Sequence, residues 1–173
     1  MRVFFVGLVV AIMMAFSVPA FAQLAVVDMQ QVLTESDAAK SILAQLKDQR
    51  AAIEKEIKGM EEALKKDEQA LIKKKETAKP DEFAAARKEF EKKLIDSRGK
   101  VHKRRAAADD AFNKAIGELR QNIMTVVTDI AAAQKIQLVI TKQNVVIGDK
   151  SLEITDQVMK ALNAKIKTIK VKM

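Results

Sequence analysis

Two runs of apolar residues, spaced by alternating threes and fours, constrain this chain more than any other feature. The first passes through Leu46, Arg50, Ile53, Ile57, Met60, Leu64, Asp67 and Leu71, and six of these eight positions are apolar. That spacing is the a/d seam of a coiled coil, sustained over nearly four heptads. A second seam runs through Phe83, Arg87, Phe90, Leu94, Ser97, Val101, Arg104 and Ala108. After a one-residue phase shift it continues through Phe112, Leu119, Ile123, Val126 and Ile130. Such a shift is expected where a long helix passes from one packing environment to another. Two long helices therefore dominate the fold.

Between the seams, Lys79-Pro80 supplies a turn. The proline pushes Lys79 out of the helical region and suits the first turn of a new helix. The helices are then antiparallel, with facing residue numbers summing to about 158. Leu64 meets Leu94, Ile57 meets Val101 and Leu46 meets Phe112. At ~1.5 Å rise per residue, an arm from about residue 40 to 78 extends roughly 60 Å. One narrow stripe is all that such a hairpin buries, and Arg50, Asp67, Arg87, Ser97 and Arg104 interrupt it. Gly59 and Gly99 fall near each other in this register and read either as a bending point or as two tolerated surface glycines.

The ends of the chain differ in character. Leu24–Asp28, Gln137–Thr141 and Asn144–Ile147 are short apolar runs that suit three strands, with a turn at Gly148-Asp149. Thr155 is placed to cap a last helix whose apolar face is Val158, Met159 and Leu162. These pieces predict a small β/α body, residues 23–35 and 112–163, from which a hairpin of residues 36–111 projects with its turn near 77–81. A body this thin leaves open sheet edges, which proteins relieve by pairing or covering. Leu24, Val26, Leu138, Ile140, Val145 and Ile147 are the expected oligomerisation residues. Residues 164–173, where Lys165, Lys167, Lys170 and Lys172 alternate with apolar positions, read as a frayed basic tail, with an edge strand as the other reading.

Residues 1–22 read as a cleaved signal peptide. A positive start at Arg2 precedes an uncharged apolar run from Val3 to Val18, too short to span a bilayer, and Pro19-Ala20-Phe21-Ala22 places cleavage after Ala22. The mature chain then keeps only Phe83, Phe90 and Phe112 of seven Phe, and its charge falls from +8 to +7.

Composition excludes most chemistry. The chain has no Cys and one His, so thiol catalysis, disulfides and most zinc sites are ruled out. His102 lies in a basic run with no Ser or carboxylate constellation beside it. Asp109-Asp110 and Glu61-Glu62 are adjacent pairs, and adjacent residues on a helix do not face each other. No glycine-rich phosphate loop occurs. The expectation is no enzyme, no cofactor and no metal.

The order of features resembles the Skp/OmpH-like periplasmic chaperones. Leu24-Ala25-Val26-Val27-Asp28-Met29-Gln30 after a signal peptide, a long charged hairpin, Ile136–Ile140, and Ile154-Thr155-Asp156 before a closing helix carry the likeness over roughly residues 23–163. The resemblance implies a mainly α homotrimer: a small β body with three helical-hairpin arms enclosing a cavity. It also implies periplasmic location and unfolded outer-membrane proteins as clients, held without ATP and passed toward the outer-membrane assembly machinery. Some members carry a lipopolysaccharide patch of clustered basic residues on the arm. Here the corresponding stretch, Ala106–Asp110, is neutral or acidic, and the nearest basic cluster, Lys103-Arg104-Arg105, is displaced along the helix.

A client site read from the residues would use Met60, Leu64, Leu71, Phe83, Phe90 and Leu94, where a thin seam leaves apolar edges exposed. Residues 40–110 hold 20 basic against 15 acidic side chains, and residues 87–105 hold nine against three. Lys73, Lys74, Lys75, Lys92, Lys93, Lys103, Arg104 and Arg105 would steer acidic clients or anionic membrane lipid and lipopolysaccharide. A mixed solvated surface is the plainer reading of the same charge. Nucleic acid is not an expected partner, because export removes the chain from it and stacking aromatics are absent. An exported coiled-coil spacer without clients is the other functional class.

Overall fold

The computed structural model of the chain describes residues 23–173. The leader and cleavage site expected at residues 1–22 lie outside the described residues. In chain order the elements are β1 (Leu24–Val27), α1 (Met29–Glu35), α2 (Asp37–Thr77), α3 (Pro80–Gln134), β2 (Leu138–Thr141), 3-10 turns at Lys142–Asn144 and Lys150–Leu152, and α4 (Thr155–Lys165).

Local chemistry accounts for the boundaries. Asp28 accepts a hydrogen bond from the Gln31 N–H at 2.9 Å and so starts α1. Ser36 is fully buried and extended, which breaks α1 from α2, and its hydroxyl accepts from the Ala39 N–H at 3.2 Å. Helix α2 stops at Thr77 and α3 begins at Pro80, so the reversal occupies only Ala78 and Lys79. Helix α3 ends on Lys135 in the left-handed region, a position usually held by glycine.

The two long helices, of 41 and 55 residues, are antiparallel partners. Lys93 bonds Asp67 at 3.1 Å and Arg104 bonds Glu56 at 2.9 Å across the pair, and Leu64 and Leu94 line one groove with Ile57 and Val101. The register read from the seams therefore holds to within about two residues. One part of it shifts. Beyond Ala108 the buried line of α3 passes through Ala111, Ala115, Leu119, Ile123 and Val126, and Phe112 is only half-buried. The small side chains at 111 and 115, rather than the phenyl ring, turn inward because another segment packs there. Gly59 and Gly99 sit in unbroken helix, and a Cβ at either meets nothing within 4 Å. Gly59→Ala with Gly99→Ala should stabilise the chain by about 1 kcal/mol per site, read as an increase in the urea midpoint.

Strands β1 and β2 pair in parallel, with Leu24 opposite Leu138 and Val26 opposite Ile140. Ala25 and Val27 point into a core shared with Val32, Ile42, Leu119, Ile123, Val158 and Leu162. Asp28 ties the pieces together: its N–H donates to the Thr155 hydroxyl at 2.9 Å, and its carboxylate accepts from Gln143 at 3.0 Å.

Three expectations are corrected. Thr155 is the first residue of α4 rather than its cap: Ile154 holds the cap position, and the Thr155 hydroxyl is engaged by the Asp28 N–H instead. Asn144–Ile147 is not a third strand. The Gln143–Asp28 bond and a 2.7 Å Lys142–Glu153 ion pair draw the chain into a turn straight after β2. The other edge of β1 is met at Val26, whose carbonyl accepts from the Ile154 N–H at 2.9 Å. Val146 and Ile147 are left almost wholly exposed. Nor does the C-terminal tail fray: Ile169 and Val171 are buried, at 2% and 7% exposure, against the base of the two long helices. Alternation with lysine is what lets this segment bury one side and solvate the other.

Candidate functional site

An antiparallel helix pair has two broad faces, one on either side of its seam. Seam residues Ile57, Met60, Leu64, Leu94 and Val101 floor an open groove on one face. Arg98, His102, Arg105 and Glu61, each one residue past a seam position, form its rim. A second groove adjoins it toward the body, floored by Ile53, Ile57 and Ala108 and again edged by Arg105. The opposite face, nearer the tip, has a groove between Leu71 and Phe90. Lys93 crosses it, held by Asp67 at 3.1 Å and Glu89 at 3.6 Å.

The six apolar residues expected to contact a client, Met60, Leu64, Leu71, Phe83, Phe90 and Leu94, are all half-buried in the seam. They form groove floors rather than projecting side chains. The sequence reading missed Ile72 and Ile95, which are 58% and 69% exposed. Each lies one residue past a seam leucine, and the two-fold relation of antiparallel helices puts both on the face that carries Arg98 and Arg105. An apolar residue directly after an apolar seam residue was the available signal.

The basic residues divide in two. Arg104 is committed to Glu56 and Lys93 to Asp67, whose carboxylate raises the Lys93 pKa above its usual value by hydrogen bonding and charge. Lys73, Lys74, Lys75, Lys92, Lys103 and Arg105 are exposed and make no ion pair among the described residues. Lys74 and Lys75 also occupy the last turn of α2, where the helix dipole favours positive charge. Lys73, Lys74 and Lys75 therefore put three adjacent unpaired cations at the tip of the hairpin.

In the body, the β1–β2 register puts Leu24, Val26, Leu138 and Ile140 on one face of the sheet. Leu24 and Leu138 are 43% and 52% exposed. Val145 is half-buried beyond that sheet, and Ile147 projects into solvent. Beside it, the Lys142 bond holds Glu153 below the usual carboxylate range, and the same bond raises Lys142. The pair contributes from above the unfolded pKa of Glu153 to below that of Lys142. It is lost when acid protonates Glu153 through its lowered folded value, or when alkali passes the raised value of Lys142. The protection factor of the Val145 amide, which donates to the Lys142 carbonyl, should therefore fall in acid and stay constant through neutral pH once the intrinsic pH dependence of exchange is divided out. In Glu153→Gln the acid-dependent step should disappear.

Among the described residues no group of His and carboxylate side chains could hold a metal ion, and no helix is long and apolar enough to cross a membrane. The chain matches the family model "Outer membrane protein (OmpH-like)" over residues 23–162. The chain belongs to this OmpH-like family. A crystal structure from Caulobacter crescentus, assigned as an outer membrane chaperone (OmpH-like), superposes with a TM-score of 0.80 at 25% identity. The alignment covers 88% of this chain and 90% of that one. Among curated proteins no match was found. The OmpH-like likeness spans both the helical hairpin and the β/α body.

Proposed function

We propose that this OmpH-like protein is an ATP-independent holdase of the periplasm, which keeps unfolded outer-membrane proteins soluble until they reach the assembly machinery. The observation that carries this reading is the hairpin face on which exposed Ile72 and Ile95 lie beside a shallow groove rimmed by Arg98 and Arg105. An unfolded barrel strand alternates apolar and polar groups, so no deep pocket could bind all of it. Weak apolar contacts spread along an open face hold such a chain without imposing a structure, and the flexible thioether of Met60 in the groove floor adapts to varied partners. Lys73, Lys74 and Lys75 attract clients with net negative charge, and the same tip suits anionic lipid or lipopolysaccharide.

The assembly is a homotrimer joined through the exposed apolar face of the β1–β2 sheet, with Val145 and Ile147 extending that contact. Its three arms enclose the client. Release follows from the client's own folding or insertion, since no nucleotide drives it.

The test is dilution of a denatured outer-membrane barrel into buffer with and without the mature chain, followed by light scattering. Suppressed aggregation at low salt, weakened by added salt and indifferent to ATP, is the expected result. Undiminished aggregation would remove the holdase reading and leave a coiled-coil spacer. Neutralising Lys73, Lys74 and Lys75 together should slow capture several-fold and leave release almost unchanged, as measured by stopped-flow fluorescence of a labelled client.

A further inference from the structure

The base of the hairpin carries a second surface, distinct from the arm grooves. On α2, Gln45 and Gln49 stand one helical turn apart and reach across to the C-terminal segment. The Gln45 side-chain N–H donates to the Ile169 carbonyl at 2.7 Å, and the Gln49 side-chain N–H donates to the Val171 carbonyl at 2.8 Å. The Val171 N–H in turn donates to the Gln45 side-chain oxygen at 3.1 Å. Every one of these bonds engages main chain. A side-chain amide offers one acceptor and a pair of donors, so it acts as a surrogate peptide unit.

The spacing explains why two glutamines serve. Four helical residues advance about 6 Å, and two residues of an extended strand advance about 6.6 Å. Gln45 and Gln49 therefore match carbonyls two residues apart, the repeat at which a strand shows the same side. Those same-side residues, Ile169 and Val171, are buried, and Lys170 and Lys172 are exposed. Ala111 and Ala115 on α3 flank the segment and leave the room it occupies. Gln45 uses both ends of its amide, whereas the buried oxygen of Gln49 has no hydrogen-bond partner among the described residues.

We propose that the Gln45–Gln49 face is a reader of extended, alternating backbone, filled in cis by residues 166–173 and in trans by a segment of an unfolded client with the same alternation. Recognition is of strand form rather than sequence, as in other modes that add a strand through main-chain bonds. Residues 166–173 are held on this face by two buried apolar side chains, a half-buried Ile166 and three hydrogen bonds, a thin attachment of the kind that opens locally before the rest. The segment competes at the high effective concentration of a tethered ligand, so its release raises apparent affinity for a second strand. The identity of the natural occupant rests on the holdase reading. The site itself does not.

Fluorescence anisotropy on the mature chain tests this. One labelled peptide carries the sequence of residues 166–173, a second alternates Val with Thr, and a third contains the same Val and Thr sorted into two blocks. Ile169→Ser with Val171→Ser frees the tail in the full chain. The freed variant should bind the two alternating peptides at least tenfold more tightly than wild type and gain nothing toward the sorted one. Adding Gln45→Ala and Gln49→Ala should abolish the gain. Equal binding by freed and wild-type chains, or indifference to alternation, would overturn the proposal. If circular dichroism shows that the freed variant does not fold, hydrogen exchange on the wild-type chain decides instead. Protection of the Val171 amide should fall several-fold when the alternating peptide is added, and unchanged protection refutes the exchange. A chain that binds these peptides but fails to suppress barrel aggregation would lose the holdase reading and keep this one.

Discussion

Val26→Asp is expected to dissociate the protein into monomers. Val26 is the inner residue of the exposed sheet face, paired with Ile140 and flanked by Leu24 and Leu138. A carboxylate there becomes an unpaired charge at the centre of an apolar contact, where loss of pairing costs about 3–5 kcal/mol. At ~1.4 kcal/mol per tenfold, association weakens by a hundredfold or more. Ala25 and Val27 face the other way into the core, so each monomer should keep its helical circular dichroism. Sedimentation of wild type and variant at micromolar concentration is the measurement. A wild-type chain that already sediments as a monomer refutes the trimer, and a variant that stays associated moves the interface elsewhere.

Leu119→Ala should be among the most destabilising single truncations in the body. Leu119 has no exposed surface and sits on α3 within the cluster that includes Val32, Ile42, Ile123 and Val158. Removing a fully buried leucine side chain leaves a cavity and costs about 2–5 kcal/mol. The hairpin tip, whose seam residues are only half-buried, should be far less sensitive: Leu71→Ala is expected to cost a fraction of that. Urea unfolding followed at 222 nm separates the two. Comparable losses would mean that the arm, rather than the body, holds the fold together.

The hairpin was legible because its information is periodic and local. Two heptad seams and one Lys-Pro step placed the reversal and the register without knowledge of any distant contact. The sheet partners Leu24–Val27 and Leu138–Thr141 were also legible as apolar runs. Asn144–Ile147 was not, because its apolar residues suit a strand locally and a bond from Gln143 back to Asp28 decides otherwise. The tail failed for a similar reason. Alternating Lys with Ile and Val describes an exposed tail and a docked extended segment equally well, and the deciding partners, Gln45 and Gln49, lie more than 120 positions away. On the arm, the seam residues are half-buried between the helices, and the exposed apolar side chains toward the tip are Ile72 and Ile95. Charge alone also could not separate Lys93 and Arg104, each tied to a carboxylate, from Lys103 and Arg105.

The parallel pairing of β1 with β2 has a consequence for the order in which the chain acquires its shape. Asp28 and its partner Thr155 are 127 positions apart, and β1 cannot find β2 until both long helices have been made. The hairpin, built from contacts that start at the Ala78-Lys79 turn and spread outward, closes small loops first and should form early. Through that interval Leu24–Val27, the earliest described strand to be synthesised, waits without its neighbour. The chain thus spends the opening stage of its own life with an unpaired strand, the same condition that defines the clients proposed for it.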